Sequence, residues 1–284
     1  MNFADQLVKE IERKNSRVCV GLDSDFAKLP KEYADWADKS KAVFDFNKRI
    51  IEAVKDDCVI VKPNAAFYLS LGDDGWKTLK QTISFAKSQG LLTIADFKAN
   101  DIGNTAEAYA RAFFEDLGAD AVTLNPLLGT DSLMPFLKYC ANDNGVFILC
   151  RTSNPSSAEF QELKVGEKGK NLSDVVARKI VEWEEYGSGE GNYSSVGAVV
   201  GATFPEEAKH LRYIMRKQFF LVPGYGAQGA DANTIKNFFN SEGLGAIVNA
   251  SRSVIFASNG KDFEEAAGKE AEKMKKEINA ALRV

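Results

Sequence analysis

The densest run of ionisable side chains is Ala95-Asp96-Phe97-Lys98-Ala99-Asn100-Asp101, with the spacing Asp-x-Lys-x-x-Asp. Residues i and i+2 of a strand share a face, so Asp96 and Lys98 point together and Phe97 points away. Asp101 falls just past the strand, where the chain turns toward a helix. An aspartate beside a lysine in a low-dielectric mouth keeps the lysine charged and in place. Such an ammonium can stabilise nearby negative charge and then deliver a proton. The same residues could equally form a salt bridge that closes the top of a fold, and the spacing alone does not separate the two readings.

The elements that must position this cluster are eight short apolar runs, each rich in β-branched or large side chains: 18–23, 59–64, 91–98, 121–126, 146–153, 196–203, 219–226 and 245–252. They suit parallel strands buried on both faces. Amphipathic segments fall between them, at 40–55, 76–88, 105–117, 171–186, from Pro205 onward, and at 263–282, after a lead-in helix near Phe3–Ile11. Pro205 suits a first helical position, and Gly90 and Gly118 suit helix stops. Eight β-then-α repeats predict an α/β fold, a (β/α)8 TIM barrel, with residues 1–284 as one domain. Asp23, Lys62, Asn64, Asp96, Lys98, Asn125, Thr152, Ser153 and Arg252 then gather at strand C-terminal ends, the face on which such barrels carry their chemistry. Two polar stretches, 154–170 and 187–195, read as long loops, and 154–170 is a candidate lid.

Composition narrows the functional classes. The chain has 284 residues, 45% of them hydrophobic, with a net charge of −4. No basic face is announced, so nucleic acid is not an expected partner. No run of about 18 apolar residues is present, so no membrane span is expected. Cys19, Cys58 and Cys150 sit in apolar runs and no CxxC pair occurs, which points to free thiols and a cytoplasmic setting. The single histidine, His210, reads as a helix-surface residue, leaving no histidine-based triad or zinc site.

The segment Ala95–Thr105, ADFKANDIGNT, resembles the D-x-K-x-x-D-I-x-x-T motif of the orotidine 5′-phosphate decarboxylase family. Further matches follow in order along nearly the whole chain: GLD at Gly21–Asp23, KPN at Lys62–Asn64, NPLLG at Asn125–Gly129, TSNP at Thr152–Pro155, PGYGAQG at Pro223–Gly229, and Arg252. The length and the excursions around the fifth strand are similar to the longer, type 2 branch of bacteria and protozoa. Many members carry a glycine before the last arginine, where this chain reads Ala250-Ser251-Arg252; Ser251 can still offer its backbone N–H.

The resemblance implies decarboxylation of orotidine 5′-monophosphate to UMP in pyrimidine biosynthesis, with no metal or organic cofactor. It implies Lys98 as proton donor, Asp96 beside the departing carboxylate, and Lys62 completing an alternating array. Asp101, Ile102 and Thr105 would act across a homodimer interface. Asp23 and Asn64 would bind ribose hydroxyls, Thr152 and Ser153 the pyrimidine, and Gln228, Gly226, Ser251 and Arg252 the phosphate; Asn125 would also line the substrate site. The stretch 225–230 is a second candidate lid. Two rivals remain. Metal-dependent sugar-phosphate enzymes, a 3-keto-gulonate-phosphate decarboxylase or a hexulose-phosphate synthase, share the barrel and the motif, but they place an acidic metal ligand where this chain has Lys62. A non-catalytic phosphate-binding barrel would not need the charge array.

Overall fold

The computed structural model describes residues 1–166, 169–226 and 231–283. Eight strands run parallel around a closed barrel: β1 (Val18–Leu22), β2 (Ile60–Pro63), β3 (Leu92–Ala99), β4 (Ala121–Leu124), β5 (Gly145–Arg151), β6 (Ser194–Val200), β7 (Gln218–Pro223) and β8 (Ala246–Ala250). β1 closes the ring, setting Val18 opposite Val248 of β8 and Gly21 opposite Lys62 of β2. The longer helices are α1 (Phe3–Lys14), α2 (Lys39–Val54), α3 (Gly75–Ser88), α4 (Gly103–Arg111), α5 (Thr130–Cys140), α6 (Leu172–Glu182), α7 (Pro205–Ile214) and α8 (Phe263–Leu282). The chain is therefore a (β/α)8 barrel. Local chemistry fixes several boundaries. Pro205 begins α7, and an Asn171–Asp174 capping box begins α6.

Strand residues alternate between two hydrophobic layers, as the two-residue period of a strand requires. Val18, Val20 and Leu22 of β1 face the helices, whereas Cys19 faces the barrel interior. The interior layer combines Cys19, Ile60, Ile94, Ala121, Phe147, Phe219 and Ile247 with Phe3, Leu7 and Ile11 of α1. α1 plugs the N-terminal end: the Phe3 ring meets Phe147 edge-on at 6.0 Å, and Ala4 N–H donates to Ser195 Oγ at 3.2 Å. With that end sealed, only the C-terminal end can admit a ligand.

The stretch read as the loop 154–170 is not irregular. It holds the helical turns Pro155–Ser157 and Ala158–Gln161 and a short hairpin, Lys164–Val165 with Lys170–Asn171. The cause is Arg151, whose fully buried guanidinium binds Glu207 on α7 and reaches Ser157, Gln161 and Glu162 on the excursion. It also stacks on the Phe204 ring at 3.6 Å. A buried cation needs partners on every side, and this one draws the excursion down onto the barrel. The other predicted loop, 187–195, begins in a 3-10 turn, Trp183–Gly187, and its end already belongs to β6. The helix expected over 105–117 begins earlier, at Gly103, and finishes as a π turn over Ala112–Asp116.

All four cysteines are free and buried, and His210 is exposed on α7, 3.1 Å from Asp174. Among the described residues, no helix is long and apolar enough to cross a membrane.

Candidate active site

On four of the strands the apolar inward column turns polar toward the C-terminal end. Two residues beyond Ile60 is Lys62; beyond Ile94, Asp96; beyond Ala121, Thr123; and beyond Ile247, Asn249. These side chains floor a cavity of about 480 Å³ whose walls include Asp23, Asn64, Lys98, Thr152, Ser153, Gln161, Ser251 and Arg252. That volume lies within the range of small-molecule sites.

Asp96 is the hub. Its Oδ2 accepts from Lys62 Nζ at 2.6 Å, and its Oδ1 accepts from Lys98 Nζ at 2.6 Å and from Thr123 Oγ1 at 2.8 Å. The Asp96 and Lys62 side chains are only 5% and 7% exposed, whereas Lys98 is 47% exposed and reaches into the cavity. Burial alone would push the Asp96 carboxyl up, but the adjacent Lys62 and Lys98 charges outweigh it and hold the group well below the usual carboxylate range. Burial alone would likewise lower Lys62, but Asp96 and Asp23 outweigh it and hold the ammonium above the usual lysine range. Asp96 is therefore an anion and Lys62 a cation across the neutral range, although both are out of water.

β3 does not stay regular where it carries these groups. Its register with β4 jumps between Ala95 and Ala99, and Lys98 has a left-handed backbone, φ 52°. Bulges commonly re-aim side chains beside active sites. Phe97 still points outward, stacked on Phe113 at 4.0 Å. Two glycines allow close approach elsewhere. A Cβ at Gly21 would lie 1.9 Å from Ser251 Oγ, and one at Gly201 would lie 2.8 Å from both the Ser153 backbone nitrogen and its Cβ. Each glycine lets a wall residue close on the cavity.

The structure thus brings together Asp23, Lys62, Asn64, Asp96, Lys98, Thr152, Ser153, Ser251 and Arg252. One Asp23 oxygen, Oδ1, is buried and has no hydrogen-bond partner among the described residues. Asn125 does not line this cavity; its Oδ1 accepts from the Leu127 N–H in the loop after β4. Asp101, Ile102 and Thr105 also lie outside the cavity of this chain, with Ile102 and Thr105 exposed at the start of α4. Gly226 lines a smaller neighbouring cavity, of about 210 Å³, with Tyr225 and Ser253. Gln228 and most of the stretch 225–230 lie outside the described residues. The sequence reading passes over Thr123, Gln161 and Asn249. Thr123 and Asn249 carried a usable signal, since each stands two residues after an inward apolar position.

Residues 16–267 match the family described as "Orotidine 5'-phosphate decarboxylase / HUMPS family". A protein of Dehalococcoides mccartyi named orotidine 5′-phosphate decarboxylase is 43% identical over 98% of each chain. One of the same name from Christiangramia forsetii is 41% identical over 98% of each. The solved structure of Leishmania donovani OMP decarboxylase superposes with a TM-score of 0.81 at 34% identity, covering 100% of both chains. Leishmania donovani UMP synthase superposes with a TM-score of 0.85 at 35% identity; it covers 99% of this chain, which spans 57% of that one. The family description takes in more than one activity, while these full-length relatives carry the decarboxylase name. The chain belongs to the orotidine 5′-phosphate decarboxylase family.

Proposed function

We propose that this site decarboxylates orotidine 5′-monophosphate to UMP with Lys98 as the proton donor and without a metal or organic cofactor. The observation that carries the reading is the Lys62–Asp96–Lys98 array, two cations bridged by one buried carboxylate at 2.6 Å on each side. The bond from the pyrimidine ring to its carboxylate breaks, CO2 leaves, and the electron pair stays on the ring carbon. A fixed ammonium beside that carbon stabilises the developing charge without reorganising. Lys98 then transfers a proton to the carbon, gives UMP, and is reprotonated from solvent. Asp96 holds Lys98 in place and lies beside the departing carboxylate. The end of β2 carries the cation Lys62, bonded to Asp96 Oδ2, rather than an acidic side chain that could ligate a metal.

Asp23, with its open Oδ1, and Asn64 bind the ribose hydroxyls; Thr152 and Ser153 read the pyrimidine edge. Arg252, the Ser251 N–H, Gly226 and Gln228 hold the phosphate. Asp101, Ile102 and Thr105 complete the site of a second copy in a homodimer. Ile102, Tyr109, Leu127 and Leu128 support this, since they leave large apolar side chains exposed on α4 and on the loop after the adjacent strand. Residues 1–284 act as one domain in a cytoplasmic enzyme.

The test is substitution at each end of the bound nucleotide. Lys98→Ala should lower kcat by about 10²–10⁴-fold or more, the range for a lost proton donor, while the protein stays folded. Arg252→Ala should chiefly raise KM. Near-normal turnover by Lys98→Ala would remove the lysine from its role, and an unchanged KM would remove the arginine.

A further inference from the structure

Thr123 sits where β3 and β4 fall out of register. The ladder pairs Ala95 with Val122 and resumes at Ala99 with Leu124. Asp96, Phe97 and Lys98 thus stand opposite a single residue of β4, and that residue is Thr123. Its hydroxyl makes two bonds across the gap. It accepts the Lys98 backbone N–H at 2.9 Å and donates to Asp96 Oδ1 at 2.8 Å. Thr123 is 1% exposed and faces the cavity.

We infer that Thr123 is a positioning residue for decarboxylation, using one hydroxyl to fix both the Lys98 backbone and the Asp96 carboxylate. The left-handed backbone at Lys98, φ 52°, is costly for a residue with a side chain and persists only where the surroundings hold it. A bulged strand offers that N–H no regular ladder partner, and Thr123 Oγ1 supplies one. The same oxygen's proton goes to the carboxylate oxygen that also receives Lys98 Nζ. One group thereby sets both where the lysine leaves the backbone and where its ammonium ends. A β-branched side chain, stiff at χ1, suits this double task. The Lys98 ammonium must meet a single ring carbon, so a small displacement matters: misplacement by about 1 Å can cost on the order of 100-fold in rate.

This inference rests on the proposed roles of Lys98 and Asp96, and its test distinguishes its own failure from theirs. Thr123→Val preserves shape and removes the hydroxyl; Thr123→Ser keeps the hydroxyl and removes the methyl. We expect Thr123→Val to lower kcat by about 10–100-fold with KM within about three-fold, and Thr123→Ser to recover most of that loss. Hydrogen exchange at the Lys98 amide should speed up in the valine variant and not in the serine variant. A valine variant with wild-type kcat would overturn the inference, as would equal losses in both variants, which would assign the effect to packing. A loss shared between kcat and KM, with unaltered exchange at Lys98, would also overturn it. If the wild-type protein does not turn over orotidine 5′-monophosphate, the proposed function falls, and exchange at Lys98 alone decides whether Thr123 holds that backbone.

Discussion

Removing either Asp96 or Lys98 should abolish turnover, but only the first should destabilise the fold. Asp96→Asn keeps the shape and deletes the charge. Lys62, with a side chain only 7% exposed, then loses its 2.6 Å partner and keeps only the charge of Asp23 nearby. Breaking a buried ion pair from one side costs about 3–5 kcal/mol. The residual attraction of Asp23 argues for the lower end, roughly 3 kcal/mol, which in a chain of this size is a Tm drop of about 5 °C. Lys98→Ala removes a side chain that is 47% exposed, so solvent already screens its pairing and the loss should be about 0–1 kcal/mol. Asp96 also keeps its bonds from Lys62 and Thr123 in that variant. The assay is calorimetric or urea unfolding of both variants beside the wild type, with turnover measured on the same samples. If Asp96→Asn melts within the range of Lys98→Ala, the picture of a buried Lys62 that depends on Asp96 is refuted.

The pH dependence of stability follows from the same pair. Asp96 is depressed, so its contribution is present above about pH 4, the unfolded value, and is lost as pH falls toward the folded value; Lys62 is raised, so its contribution is present below about pH 10 and is lost as pH rises through the folded value. Urea titrations should show a plateau between, with an acid limb that is shallower in Asp96→Asn; an unchanged acid limb in that variant would contradict the assignment. If Asp101 serves the partner's site, Lys98→Ala and Asp101→Ala chains refolded together should regain about a quarter of wild-type activity, because half the dimers then hold one intact site. No recovery in confirmed mixed dimers would place Asp101 elsewhere. Gly201→Ala would bring a Cβ to 2.8 Å from the Ser153 backbone nitrogen, so it should cost about 1–3 kcal/mol and raise KM; a wild-type KM would show that Ser153 does not bind substrate.

Much of this was legible in the chain because parallel-barrel strands are buried on both faces. Their apolar runs stand out, and the polar residues that end them mark the functional rim. Asp96, Lys98 and Lys62 were readable together, and the structure places both lysines on the Asp96 carboxylate. Thr123 and Asn249 were not, since a threonine or asparagine near a strand end is chemically unremarkable until the two-residue inward column is traced. Strand-end position does not determine direction either: the Asn125 carboxamide oxygen accepts a backbone N–H of its own loop. The excursion at 154–170 read as a loop because no periodicity announces order imposed by one buried arginine, which becomes visible only once Arg151 meets Glu207 across 56 residues. The left-handed backbone at Lys98 has no sequence signal at all; it arises from the mismatch between β3 and β4.

The proposed function requires this site to release CO2 from orotidine 5′-monophosphate without a metal ion. The most direct measurement follows loss of the substrate's ultraviolet absorbance by the wild-type protein, with UMP identified as product, in the presence and absence of EDTA. UMP should form at the same rate in both conditions. No UMP, or a rate abolished by EDTA and restored by a divalent cation, would contradict it.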